Sequence, residues 1–370
     1  MIKNIVAYSN EQDQDKAFME VKKKIDKLGV PKLIIFSSPA KGFVFFTKNF
    51  RSNYKKAFVI GATSYFALSS EGHDKTALSA IAIFDGIEVA GGTLFEIDHY
   101  PMHYVNSIEA AVSKFEDLSN TVCIQLSTAQ GKCEELVQDT FRYVLEKRKV
   151  QVVGGTAGGE NPDAKNYVSL DGEVYNNASV FVIIKNLNGK IVTYKENMFR
   201  PTTHYCMATD VDCDERRVYE IDDMPATDAI AMMLNVAPDK LPDIISDYPF
   251  GRITGKDIYI TDVEKIMPDK SVYCFSRIYN RTRMVLLELD DLDKVWNETS
   301  KAIKSEVPKP SFSFFTQCYV RSKRLEKLGL MDTFCEKSEK EYGNYLGISG
   351  FGEQINYEHF NDTCVIVSFE

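Results

Sequence analysis

One pattern recurs three times in this chain and constrains its fold more than any other feature. A strand-like run leads through a loop and a helix to a second strand. That strand ends in an apolar residue, Gly, any residue, then Thr or Ser. The copies are Ile60-Gly61-Ala62-Thr63, Val153-Gly154-Gly155-Thr156 and Leu346-Gly347-Ile348-Ser349. The opening strands start near Pro31, Thr121 and Ser311, so 30, 33 and 36 residues separate each start from its glycine. A polar loop and another strand follow each time. The strand is approached through Asp74-Lys75-Thr76, Asn177-Ala178-Ser179 and Asn361-Asp362-Thr363. Asx followed two places later by Ser or Thr is a local-turn signature. The second and third copies agree further, as GGTAGGE (Gly154 to Glu160) and GISGFGE (Gly347 to Glu353). The period is too long and the copies too few for a solenoid. The expectation is that segments 31–85, 121–184 and 311–369 form equivalent strand–helix–strand–Gly-turn–strand units facing a shared cleft.

Hydrophobic spacing fills in the rest. Phe18, Val21, Ile25 and Leu28 share one helix face, and Gly29 and Pro31 stop that helix. Further helices are predicted over 107–118 with Asn106 as cap, over 132–147, from 225 onward, over 291–304, and between Arg321 and Tyr345 with a break near Gly329 and Asp332. Runs such as KLIIFSS, KAFVIGA, TVCIQLS, SVFVIIKN, RMVLLEL, SFSFFTQ and CVIVSF read as strands. Helices interleave with strands, while some strands follow each other directly. The fold class expected is α/β in the mixed α+β sense: two lobes of mixed β-sheet covered by helices. A chain of 370 residues also fits two lobes.

Composition excludes several function classes. No apolar run approaches the ~20 residues of a membrane span, and the N-terminus turns polar too early for a signal peptide. A cytoplasmic location is expected. The eight cysteines form no CxxC pair and no zinc spacing. In apolar stretches they read as small hydrophobes in a reducing compartment. The net charge of −9 comes with no basic stripe, so nucleic acid is not an expected partner. No membrane partner is expected either.

A glycine-rich strand end lets backbone N–H groups approach a ligand. On that basis Gly155, Thr156, Glu160, Gly350, Gly352 and Glu353 are candidate ligand-binding residues, the glutamates taking an ammonium group while N–H groups take a carboxylate. The competing reading is that the glycines serve packing alone. Neither run is a nucleotide motif, since GxxxxGK[ST] is absent and the GxGxxG order is not met. Arg321, where strand SFSFFTQ gives way to a helix, offers a fork suited to carboxylate or phosphate. Asn361 is the third charged-or-polar candidate, with Thr363, Cys318 and His359 in support. Cys318 near a helix start, with His359 in the same segment, leaves a Cys-dependent small hydrolase or transferase as an alternative. No catalytic set can otherwise be assembled. His99 and His103 are split by Pro101, and no metal cluster accompanies the five histidines. No cofactor is expected, though haem needs only one axial residue.

The ordered set of motifs resembles FIST-domain proteins, sensory input modules. KAFVIGATS, VVGGTAGGENPDAKNYVSLDGEVYNNASVFVII and VYEIDDMPATDAIAMML carry the N-terminal part of the resemblance. YPFG, Cys318-x-x-Arg321, GISGFGEQ and FNDTCVIV carry the C-terminal part. The segment from Gly255 to Asp290 departs from the family, and its His–Asn pair is spread here over His359, Phe360 and Asn361. The resemblance implies an N-terminal-type lobe over 1–222 and a C-terminal-type lobe over 223–370. It implies a signal-transduction protein binding an amino acid or related metabolite. One branch of the family binds haem and senses nitric oxide, a further alternative. No kinase, cyclic-dinucleotide or chemoreceptor module is attached, so any output is expected to pass through a separate signalling protein of kinase or chemoreceptor type, or through none.

Overall fold

The strand-rich runs assemble, in the computed structural model, into three six-stranded sheets that share one order of parts. The structure describes residues 2–129, 132–255 and 257–370. At the heart of each sheet is a parallel pair: Leu33–Ser38 with Phe58–Thr63, Thr121–Ser127 with Gln151–Thr156, and Phe312–Cys318 with Tyr345–Gly350. Parallel strands need a crossover. It is supplied by helix Ala40–Asn53, by helix Glu134–Leu145, and by the helices Tyr319–Lys327 and Met331–Tyr342. A later strand then returns antiparallel beside the first of each pair: Leu78–Asp85, Ala178–Asn186 and Thr363–Phe369. One more strand closes that flank: Lys3–Ser9, Ile87–Phe95 and Ile191–Asn197 respectively.

The other flank is closed by exchange. The hairpin that follows each glycine strand joins a different sheet. Ala67–Ser69 and Gly72–Asp74, from the first segment, extend the third sheet beside Tyr345–Gly350. Val168–Leu170 and Glu173–Tyr175, from the second, extend the first sheet beside Phe58–Thr63. Glu353–Ile355 and Glu358–Phe360, from the third, extend the second sheet beside Gln151–Thr156. Three backbone hydrogen bonds complete the cycle: Tyr65 N to Ser349 O at 2.9 Å, Gly158 N to Thr63 O at 2.8 Å, and Phe351 N to Thr156 O at 3.0 Å.

The glycines of the recurring pattern lie inside strands, not in turns. In register, Gly61 faces Phe36, Gly154 faces Gln125 and Gly347 faces Phe315. A Cβ on Gly61 would run into the Phe36 ring, and one on Gly154 into the Gln125 carbonyl. The pattern therefore records close packing against a large neighbour, the bland reading of the sequence, and corrects the expectation of exposed glycine turns.

The chain divides into two compact units. The first comprises Met1–Lys195, Glu298–His359 and Cys364–Glu370, and holds all three parallel pairs. Its first sheet is covered by helix Gln14–Ile25 and helix Ala40–Asn53, through Phe18, Val21 and Ile25 on one and Phe43, Phe46 and Phe50 on the other. The second unit comprises Glu196–Asn297 and Phe360–Thr363. It is an antiparallel sheet built around the long strand Phe199–Asp212, which pairs with Arg283–Leu289 and then with Arg217–Ile221. Helix Ala226–Met233 packs on it through Ala226, Ala229 and Ile230. The expected boundary at 222/223 falls inside this second unit. Among the described residues, no helix is long and apolar enough to cross a membrane.

One ion pair gives the first unit a measurable acid sensitivity. Glu341 on helix Met331–Tyr342 accepts from Lys304 Nζ and Ser300 Oγ, both at 2.5 Å. The Lys304 bond first, then the serine, holds its carboxyl below the usual carboxylate range. A depressed carboxyl contributes stability above its unfolded pKa and loses it as pH falls through the folded value. Glu341→Gln should therefore flatten the stability profile on the acid side, and its urea midpoint should converge with wild type at low pH. Parallel profiles at every pH would refute this.

Candidate functional site

The third parallel pair ends with Cys318 level with Gly350. Arg321 and Glu353 each stand three residues beyond, so both leave the same end of the pair. Helix Tyr319–Lys327 begins directly after the strand, with Cys318 at its N-cap position, and this places Arg321 in the first turn. Arg321 is 0% exposed and is the largest fully buried side chain among the described residues. Its guanidinium lies 5.4 Å from the Phe334 ring centroid, a separation at which a cation is attracted to a ring face. Glu353 is also 0% exposed. It opens strand Glu353–Ile355, directly opposite Gly155. Beneath the helix, Gln317 Nε2 donates to Ser322 Oγ at 2.9 Å, and Ser322 and Ser349 share a bond of 2.7 Å.

The other candidates divide clearly. Gly155 and Thr156 are buried in the second sheet, and Thr156 N donates to Gly352 O at 2.9 Å. That N–H is used by the ladder and is not presented to a ligand, which corrects the sequence expectation for this run. Gly350 is buried in its strand, and Gly352 leads into Glu353 with a positive φ of 152°. Glu160 is exposed. Its apparent match to Glu353 does not survive in register, where Glu353 corresponds to Val168 and Ala67. The loop after Gly159 is longer than its sisters and displaces the carboxylate. His359 is mostly buried, with Nδ1 2.9 Å from Gln354 Nε2. Asn361 and Thr363 are buried in the Phe360–Thr363 segment of the second unit. Asn361 Oδ1 has no hydrogen-bond partner among the described residues.

A bracket around the Arg321 helix was not foreseen. Glu326 accepts from Tyr65 OH at 2.6 Å and pairs with Lys75 Nζ at 2.6 Å. Lys75 also sits over the Tyr65 ring at 4.8 Å, and Tyr319 meets Tyr65 edge-on at 4.7 Å. Burial, then the bond to Glu326, raises the Tyr65 pKa. For Lys75, burial opposes the charge, but Glu326 and Tyr65 outweigh it and the pKa is raised. No local pattern marks these residues, because hairpin exchange brings Tyr65 and Lys75 to the third sheet.

The histidines lie in polar or exposed surroundings. His359 sits in a network of amides and hydroxyls rather than an apolar slot. His73 pairs with Asp332 at 3.1 Å, and His99 and His204 are exposed. Among the described residues, no group of three or more His, Cys, Asp or Glu side chains is placed to hold a metal ion.

Fold and site together define a mixed α/β protein with an arginine and a glutamate fully buried at the end of one parallel pair. A model of the FIST N domain matches residues 33–224, more than half of the chain, and the chain belongs to the FIST family. FIST is a sensory domain family associated with signal transduction. No curated protein matches the chain. Among solved structures, that of PurLQS from Thermotoga maritima aligns with 99% of this chain and 72% of that chain. At 9% identity and a TM-score of 0.22, this likeness carries no argument.

Proposed function

We propose that this protein is a non-catalytic sensory module that binds a small zwitterion, an amino acid or related metabolite, through Arg321 and Glu353. The observation that carries this reading is the complete burial of both ionisable side chains at the same end of one parallel pair. Withdrawing an ion from water costs several kcal/mol even after relaxation. The corresponding strand positions in the sister sheets hold Val168 and Ala67, so the fold itself does not demand Glu353. Ligands in α/β proteins gather outside the carboxyl ends of parallel strands. There a guanidinium fork can take a carboxylate bidentately and a glutamate can take an ammonium. The same reading takes the three segments as copies of one unit, of which the third kept the charges. The bracket of Tyr65, Lys75 and Glu326 then fixes the helix that aims Arg321, and the output passes to a separate signalling protein in the cytoplasm.

The test is a thermal-shift screen of the purified protein against the common amino acids and their deaminated and decarboxylated relatives. A ligand at 100 times its dissociation constant should stabilise by about 2.7 kcal/mol. Loss of the shift when either charged end of the ligand is removed supports the zwitterion. Cys318 is 1% exposed, so Cys318→Ala should keep the ligand-induced shift. A turnover lost specifically in Cys318→Ala would favour the hydrolase instead, and a Soret band in the purified protein would favour haem.

A further inference from the structure

The second sheet departs from its sisters at one buried place. Opposite Gly61 and Gly347 the parallel neighbour supplies Phe36 and Phe315, but opposite Gly154 it supplies Gln125. On the other flank, the exchanged hairpin sets Ser169 against Gly61 and Leu68 against Gly347, but Gln354 against Gly154. Gln125 Nε2 donates to Gln354 Oε1 at 2.6 Å. Ser127 and Ser179 donate to Gln125 Oε1 at 2.7 and 3.0 Å. Gln354 Nε2 reaches Thr156 Oγ1 at 3.1 Å and His359 Nδ1 at 2.9 Å. A polar network thus fills a position that the other two sheets give to phenylalanine, and burying amides there costs stability unless they are bonded.

Helix Glu134–Leu145 covers this place. It joins the parallel pair, so it runs back over the strands with its first half above their carboxyl ends. Phe141 packs on Phe181 with ring centroids 5.4 Å apart. Phe181 is directly opposite Gln125 in the antiparallel register and shares its face of the sheet. One turn nearer the helix start, on the same buried stripe, stands Gln138. It is 1% exposed, and neither Nε2 nor Oε1 has a hydrogen-bond partner among the described residues. A buried amide left without partners is among the costlier features a fold can carry.

We propose that Gln138 and the Gln125–Gln354–His359 network form a second binding site, for a small neutral ligand bearing a carboxamide. A primary amide is complementary to another amide, each giving one N–H and accepting one. The unmet capacity belongs to an uncharged group, so the ligand is uncharged where it meets Gln138. Glu353 precedes Gln354 in its strand and points to the opposite face, so this site is separate from the zwitterion site and does not depend on it.

The experiment uses acetamide and propionamide as probes in thermal shift on the full chain, with Gln138→Met as the variant of matched length. Either amide should raise the melting temperature of wild type, and the rise should be lost in Gln138→Met. The probe-free variant should melt at or above wild type, because an unpartnered amide has been replaced by an apolar chain. Arg321→Lys should keep the response, which separates failure here from failure of the zwitterion reading. The proposal is overturned if wild type responds to neither amide, or if Gln138→Met responds equally. It is also overturned if Gln138→Met lowers the probe-free melting temperature, the mark of an amide already served by buried water.

Discussion

Arg321→Ala is expected to destabilise the free protein by about 3–5 kcal/mol, the range seen when one member of a buried charged set is removed, and to abolish ligand-induced stabilisation. From sequence alone Arg321 reads as a ligand-binding fork with no part in the fold assigned to it. The structure adds a part in the fold, because Arg321 is 0% exposed and, among the described residues, no fully buried side chain is larger. Truncation empties a volume at the junction of helix Tyr319–Lys327 with strand Phe312–Cys318, and the surroundings relax only partly into such a hole. It also removes the cation that lies 5.4 Å from the Phe334 ring centroid. Alanine alone therefore cannot separate support from recognition. Arg321→Lys keeps the charge and most of the length but loses the fork. It should retain most of the stability while weakening ligand roughly ten- to a hundredfold, the worth of about 1.5–3 kcal/mol of charged hydrogen bonding. Urea midpoints together with ligand titrations read both effects. An alanine variant with the wild-type midpoint would sink the structural part. A lysine variant with wild-type affinity would sink the recognition part.

How much of this was legible beforehand depends on the range of the interactions involved. Elements set by local periodicity were readable. Helices Gln14–Ile25, Glu134–Leu145 and Leu292–Glu306 lie where their apolar stripes place them, and Gly329, with φ of 66°, breaks the last helical region. Helix Ala40–Asn53 was implied by the recurring unit over 31–85 but given no bounds of its own. Phe43, Phe45, Phe46 and Phe50 crowd its sequence with aromatics of middling helix propensity, and Gly42 interrupts its first turn with φ of 94°. Tertiary burial of Phe43, Phe46 and Phe50 overrides that local preference. Asn106 was expected to cap the next helix, yet that helix runs Val105–Val112 after the short turn Pro101–Tyr104, so Asn106 lies inside it. A proline at the start of that turn supplies the fixed φ that begins the coil early.

The candidate site was legible residue by residue but not as an arrangement. Arg321 and Glu353 were both named from the residues that carry them, and the parallel pair explains why they leave one end of one sheet. Glu160 was drawn in by a string match that ignores a longer loop, and register is what tells the two glutamates apart. The exchange of hairpins could not be read at all. A sequence shows that a hairpin follows each glycine strand, not whose sheet it will complete, because that choice rests on contacts between residues more than a hundred positions apart. Tyr65, Lys75, Gln125 and Gln354 were invisible as members of any site for the same reason.

The exchange makes one glycine matter far beyond its own strand. Gly350→Ala is expected to destabilise the protein by more than about 3 kcal/mol, at or beyond the usual range for overpacking. A Cβ there would overlap the carbonyl oxygen of Thr156. That oxygen already accepts from Phe351 N at 3.0 Å, one of the three bonds that tie the segments into a cycle. The obstacle is backbone, so no side-chain rotation can relieve it. To make room, the third segment must withdraw from the second. That loosens the pairing of strand Glu353–Ile355 with Gln151–Thr156, and with it the position of Glu353. Gly347→Ala is the informative contrast. It belongs to the same strand and to the recurring pattern, but its nearest obstacle is Leu68 Cβ at 2.9 Å, a side-chain atom on a short hairpin strand. A shift of that hairpin can absorb it, so the cost should stay nearer 1–3 kcal/mol. The two variants compared by urea denaturation should rank with Gly350→Ala clearly worse. If they rank the other way, the three-bond cycle is not what holds the segments together, and the motif glycine outweighs the junction glycine.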